Sequence, residues 1–130
     1  EYISYADIIK IGSDELEFIT GKSEELAVKE ILHKDLKVLL VTYGSHGARL
    51  YLQNNKIYHH PGYKVQAVDT TGAGDSFFGA FLAEVLASGL ENCDFNKALD
   101  MACKCGAYTT TGYGAIPAMG TKEKVVKEIK

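Results

Sequence analysis

The sequence predicts an α/β layered fold. Three observations point there: short apolar runs of strand length, Gly- and Asn-containing turns that end them, and longer stretches with helical character between and after them. Ala6-Asp7-Ile8-Ile9-Lys10-Ile11 reads as a buried strand, broken at Gly12-Ser13-Asp14. Glu15 to Thr20 follows as a short helix stopped at Gly21, and Ser23-Glu24-Glu25 then caps a second helix through about His33. Val38 to Thr42 is five residues of strand, ended by Gly44. Ala48 to Leu52 and Lys56 to His59 form a hairpin across Asn54-Asn55, because Asn tolerates the backbone conformation of a tight turn.

Residues 76 to 88 are apolar on nearly every face except Glu84, which predicts a central helix covered on several sides and ended by Gly89. Phe95 to about Thr111 makes another helix, with Ala98, Met101, Ala102, Cys105 and Ala107 as its packing face and Gly112-Tyr113-Gly114 closing it. Pro117 falls in a loop, and Thr121 caps a final short helix ending at Lys130. No internal repeat or low-complexity linker interrupts the chain, so one globular domain over 1–130 is expected.

A formal net charge of -3 without a Lys/Arg cluster offers nothing to nucleic acid or to an anionic membrane. No stretch approaches transmembrane length, and the first residues, Glu1 to Asp7, have neither the basic nor the apolar region of a signal peptide; a cytoplasmic location is expected. Cys93, Cys103 and Cys105 are an odd number without framework spacing, as expected of reduced thiols. No His pair is placed to complete a zinc site around Cys103 and Cys105, and His59-His60 are expected as exposed strand-end residues.

The chemistry is concentrated in Asp69-Thr70-Thr71-Gly72-Ala73-Gly74-Asp75, which runs directly into the apolar stretch Ser76 to Ala83. A helix start leaves backbone N–H groups unpartnered and carries the positive end of the dipole, so it suits phosphate oxygens. Gly72 and Gly74, with only a methyl at Ala73, let an oxygen approach those amides and allow positive φ. Asp75 in the first turn is placed to accept a proton from an attacking hydroxyl. The same residues are ordinary caps, and spacing alone leaves capping and phosphoryl transfer equally open.

Two other nucleotide motifs fail on spacing. Gly21-Lys22-Ser23 ends like a P-loop, but the first glycine would fall at Leu16, and the segment follows a helix. A dinucleotide fingerprint starting at Gly72 needs a third glycine where Phe77 stands.

The run from Asp69 to Asp75 resembles the second signature of the PfkB (ribokinase-like) family of carbohydrate kinases, and the likeness continues along almost the whole chain in family order. The resemblance implies the C-terminal part of a ribokinase-like, Rossmann-like three-layer α/β/α fold. It implies that the amides of Gly72, Ala73 and Gly74 form an anion hole and that Asp75 is the catalytic base. Glu15 matches the Glu of the family's Asn-x-x-Glu segment, which helps hold magnesium through water, while Gly12 stands at the Asn position with Ser13 and Asp14 as neighbouring substitutes. Glu15 also reads as a solvated helix-start acid.

Val41 to Ala48 resembles the glycine-containing turn that contacts the nucleotide, with Thr42, Gly44 and Gly47 as the contact positions. Cys103 aligns with a position on the adenine side where many members have Asn. Asp69, the Thr71 carbonyl and Gly114 resemble a monovalent-cation (potassium) site, or serve as loop and cap chemistry. Glu15 to Gly21, and Thr110-Thr111 with Gly114 to Pro117, look most like fructokinases. The implied activity is ATP-dependent phosphorylation of a sugar hydroxyl, with fructose first and ribose, a nucleoside, a sugar phosphate or a sugar acid as alternatives. A non-catalytic nucleotide-binding module is the rival from another class. The resemblance covers only the C-terminal part of such a kinase, without the lid and most sugar contacts, so a truncated or proteolysed kinase is expected. Its first strand would then present an apolar edge, an association hazard with two outcomes open: an unstable fragment, or pairing with another chain, a homo-oligomer among them.

Overall fold

The computed structural model describes residues 7–32, 36–112, 125–126 and 129. Two compact units divide the chain, Glu1–His59 and His60–Lys130. His33, Pro117 and Thr121, and with them the expected loop and final cap, lie outside the described residues.

In the first unit the order is β1 (Ile8–Gly12), α1 (Ser13–Thr20), α2 (Glu24–Ile31), β2 (Val38–Thr42), β3 (Ala48–Leu52) and β4 (Ile57–His60), whose last residue is the first of the second unit. The strands form one mixed sheet in the order β1-β2-β3-β4. β1 runs parallel to β2, with Ile8 opposite Val38 and Gly12 opposite Thr42, and a parallel pair needs a crossover, which α1 and α2 supply. β2 runs antiparallel to β3, with Val38 opposite Leu52 and Thr42 opposite Ala48. Val38 to Val41 are buried on both faces, as an unbroken apolar strand requires. Ala27, Val28 and Ile31 of α2 and Leu16 of α1 pack with Ile11, Leu39, Val41 and Tyr51 in one core.

Local chemistry sets the helix ends. The Gly12 N–H donates to Glu15 Oε2 at 2.9 Å, so the carboxylate satisfies an amide at the helix entrance and α1 begins at Ser13, two residues before the expected start. Gly21 stops it in the left-handed conformation (φ 62°) and donates its N–H to the Glu17 carbonyl at 2.7 Å, which bears out the helix stop. Ser23 occupies the N-cap position of α2 without a side-chain capping bond, and α2 ends at Ile31. In the hairpin, Asn55 takes φ 66°, the conformation that favours Asn in such a turn.

The second unit holds α3 (Ala73–Ser88) packed against α4 (Phe95–Thr110). Asp94 caps α4 by accepting from the Lys97 N–H at 3.2 Å, and Gly89 ends α3 as expected. The expectation that α3 is covered on several sides is corrected: its buried residues are one stripe, Phe77, Phe81 and Val85, and Leu86 is 84% exposed. The spacing of four puts that stripe on a single face, and α4 is the long helix packed against it. On α4 the buried face includes Ala98, Met101 and Ala102 as predicted, but Leu99, Cys103, Gly106 and Thr109 complete it, while Cys105 and Ala107 are half-buried.

Candidate active site

The loop into α3 is built by its own side chains and by α4. Asp69 Oδ1 accepts from the Thr71 N–H at 2.9 Å and from Thr71 Oγ1 at 2.6 Å, which folds the backbone into an Asx turn. The Thr110 carbonyl, at the end of α4, accepts from the Val68 and Asp69 N–H groups at 2.7 and 3.0 Å. Ser76 Oγ donates to the Cys105 carbonyl at 3.2 Å, and a Cβ on Gly106 would lie 3.3 Å from the Ala73 carbonyl oxygen. Close helix approach therefore fixes the first turn of α3 from both sides of Gly72.

Gly72 is the N-cap, at φ 78° and ψ 0°, a left-handed conformation that suits glycine. Beyond it the Ala73 N–H donates to the Thr70 carbonyl at 3.2 Å and the Ser76 N–H to the Gly72 carbonyl at 2.9 Å. Among the described residues the Gly74 and Asp75 amides take no acceptor. They stand at the positive end of a sixteen-residue helix, with the exposed Asp75 carboxylate in the same turn. Such a turn presents donors to an anion and an acceptor to a proton.

Cys103 lies on the buried face of α4, and burial, with the nearby Asp100 charge, pushes its thiol up to about 12. One turn earlier, Asp100 gathers three donors: His60 Nε2 at 2.9 Å, Lys104 Nζ at 3.1 Å and the Tyr63 hydroxyl. Burial raises the Asp100 pKa, but the bonds from Tyr63, Lys104 and His60 outweigh it and hold the carboxyl below its ordinary value. His60 is thus not the exposed strand-end residue expected, because Asp100 holds Nε2 while the Gly62 N–H donates to Nδ1 at 3.0 Å. In neutral imidazole that pairing puts the proton on Nε2. His59 is exposed, as predicted.

In the first unit an open cleft of about 870 Å³ lies at the carboxyl ends of β1 and β2, the position where α/β sheets receive ligands. Gly12, Asp14, Glu15, Thr42, Gly44 and His46 line it with Lys10, Tyr43 and Arg49. The turn after β2 closes through the Tyr43 N–H, which donates to the Gly47 carbonyl at 2.9 Å, with Gly44 at φ 59° and Gly47 at φ 92°. Glu15, Thr42 and Gly44 therefore meet in one cleft, whereas Gly47 is buried and shapes the turn without lining it. Among the described residues no three His, Cys, Asp or Glu side chains cluster as a metal site. Glu15 and Asp14 suit a magnesium ion that keeps most of its water shell.

Asp69, Thr71, Gly72 to Asp75 and Cys103 belong to the second unit, and Gly114 lies outside the described residues. Lys10 and Arg49 of the cleft, the Glu24 carboxylate that Arg49 meets, and Asp100 with Tyr63 and Lys104 are absent from the site residues singled out by sequence. Arg49 had one local signal, a charge inside the apolar strand run Ala48 to Leu52.

Residues 1–122 match the family model described as pfkB family carbohydrate kinase. "Probable fructokinase-5" of Arabidopsis thaliana is 46% identical over 130 residues, covering 96% of this chain and 40% of that protein. The chain thus spans about 40% of the length of the curated relatives it matches. A fructokinase double mutant from Vibrio cholerae O395, solved with fructose, ADP and potassium ion bound, matches with TM-score 0.89 at 29% identity, over 99% of this chain and 42% of that one. Ribokinase of Arabidopsis thaliana, complexed with ribose and ATP, matches with TM-score 0.84 at 30% identity, over 96% and 41%. The architecture is accordingly part of the ribokinase-like α/β fold, as expected. With its glycine-started helix, its cleft at the strand ends and a family match over nearly its whole length, the chain belongs to the pfkB family of carbohydrate kinases.

Proposed function

We propose that the chain carries the nucleotide-binding and phosphoryl-transfer portion of an ATP-dependent sugar kinase acting on fructose. The observation that carries this reading is the left-handed Gly72, which starts α3 with the Gly74 and Asp75 amides open and the Asp75 carboxylate beside them. Fructose is favoured over ribose because curated relatives at 46% and 40% identity are named fructokinases.

On this reading Asp75 accepts the proton of the sugar hydroxyl as the hydroxyl oxygen attacks the terminal phosphorus of ATP, and the bond from that phosphorus to the bridging oxygen breaks to release ADP. The amides from Gly72 to Gly74, with that of Asp75, receive the charge on the transferring phosphoryl group. The Ala73 amide is already shared with Thr70 at 3.2 Å, so Gly74 and Asp75 are the readier donors. Thr42, Gly44 and Gly47 shape the approach of the nucleotide, and Cys103 packs on the adenine side. A magnesium ion held through Glu15 and water neutralises phosphate charge when bound. Asp69, the Thr71 carbonyl and Gly114 are an oxygen donor set of the kind a potassium ion takes.

Asp75→Asn in the full-length protein is expected to lower turnover on fructose by about 10²- to 10⁴-fold, the usual contribution of a general base, with ATP affinity retained. A coupled ADP-release assay beside isothermal titration with ATP measures both. Turnover equal to wild type would remove Asp75 from the chemistry, and ATP binding without turnover on any sugar would favour a non-catalytic module.

A further inference from the structure

Glu24, in the first turn of α2, gathers three donors from the neighbouring strands. Its Oε1 accepts from the Tyr43 hydroxyl, and its Oε2 accepts from the Tyr51 hydroxyl and from Arg49 Nη1 at 3.0 Å. Its side chain is 22% exposed, so the pairing is partly shielded from water. Burial raises its pKa, but the hydroxyls of Tyr43 and Tyr51 and the Arg49 cation outweigh it and keep the carboxylate ionised.

Two of those partners, Tyr43 and Arg49, line the cleft, and the Arg49 guanidinium stands 5.5 Å from the centroid of the Tyr43 ring. Tyr43 is also the residue from which the turn hangs: its N–H donates to the Gly47 carbonyl, and its carbonyl accepts from the His46 N–H at 3.1 Å. Glu24 itself does not line the cleft. It ties both ends of the turn, through Tyr43 before it and Arg49 after it, to a helix whose inner face belongs to the core.

We propose that Glu24 is a positioning residue for the nucleotide, clamping the turn 44–47 and aiming Arg49 along the cleft wall. The inference rests on the nucleotide reading of that cleft. Without the carboxylate, two phenols and a guanidinium lose a shared acceptor, and the turn keeps its own backbone bonds and the contact of Arg49 with the Tyr43 ring. A distorted binding turn raises KM for ATP and leaves the chemical step to residues elsewhere.

The test is Glu24→Gln in the full-length protein, with Tyr51→Phe as a milder variant that removes one donor lying outside the cleft. Glu25→Gln serves as control, because Glu25 is on the same helix, 81% exposed, and paired only with Lys29 among the described residues. Expected are a rise in KM for ATP of about tenfold for Glu24→Gln, in the range for disrupting a charge-assisted bond, and a smaller rise for Tyr51→Phe. The kcat and the KM for sugar stay near wild type, and Glu25→Gln changes nothing. If wild type binds ATP and both clamp variants keep its KM, or if kcat falls with KM unchanged, the clamp is overturned while the nucleotide reading stands. If wild type does not bind ATP by isothermal titration, the nucleotide reading fails and the clamp fails with it.

Discussion

Gly72 and Gly79 stand seven residues apart at the start and middle of α3, and their backbones make opposite demands. Gly72 sits at φ 78°, where a Cβ crowds the backbone, so Gly72→Ala is expected to destabilise the protein by about 1 kcal/mol. Gly79 is helical, and a Cβ there would meet nothing within 4 Å, so Gly79→Ala is expected to stabilise by about 0.5–1 kcal/mol through helix propensity. Urea denaturation midpoints of the two variants check the signs. A midpoint for Gly72→Ala at or above wild type would overturn the left-handed start of α3, and a lowered midpoint for Gly79→Ala would overturn the open space at Gly79. The functional stake is the first of the pair, because the turn at Gly72 aims the Gly74 and Asp75 amides.

At the scale of the element, α4 is the frame on which the loop into α3 is hung. Its end holds Val68 and Asp69 through the Thr110 carbonyl, its middle holds Ser76 through the Cys105 carbonyl, and Asp100 near its start holds His60 and Tyr63. Asp100 titrates below its ordinary value in the folded protein, so the unfolded chain binds its proton first as pH falls. Its contribution to stability is therefore complete above the unfolded carboxylate value of about 3.9 and is lost as pH drops through the lower folded value. Asp100→Asn is expected to flatten the acid limb of the stability curve, read as urea midpoints between about pH 2 and 6. An acid limb identical to wild type would show that Asp100 does not fasten the segment at 60–63. The Glu24 carboxylate, lowered in the same way by its partners, leaves a residual acid limb in that variant.

Over the whole molecule, the strands and helix stops were legible because they depend on residues close in sequence. Val38 to Thr42 is an apolar run, Asn54-Asn55 a turn, and Gly21 and Gly89 are stops, each read from a handful of neighbours. The start of α1 was missed by two residues because the Glu15 carboxylate reaches back to Gly12, which an apolar pattern does not register. The coverage of α3 was overdrawn because an apolar sequence states what a helix can bury, and not how many neighbours it meets. Within the site, the glycines and Asp75 form a contiguous motif, whereas Glu24 meets partners 19 to 27 residues away and Asp100 meets His60 and Tyr63 across 40 and 37. Folding creates those pairings, and no local pattern announces them. Cys103 carries a last consequence for chemical probes. A cysteine at a position that the family resemblance assigns to the adenine side invites nucleotide analogues armed with an electrophile, yet this thiol is 7% exposed and raised to about 12, so little thiolate exists at neutral pH. Alkylation with iodoacetamide at pH 7, followed by peptide mass mapping, is expected to modify the less buried Cys93 well before Cys103. The warhead would find its cysteine and no nucleophile.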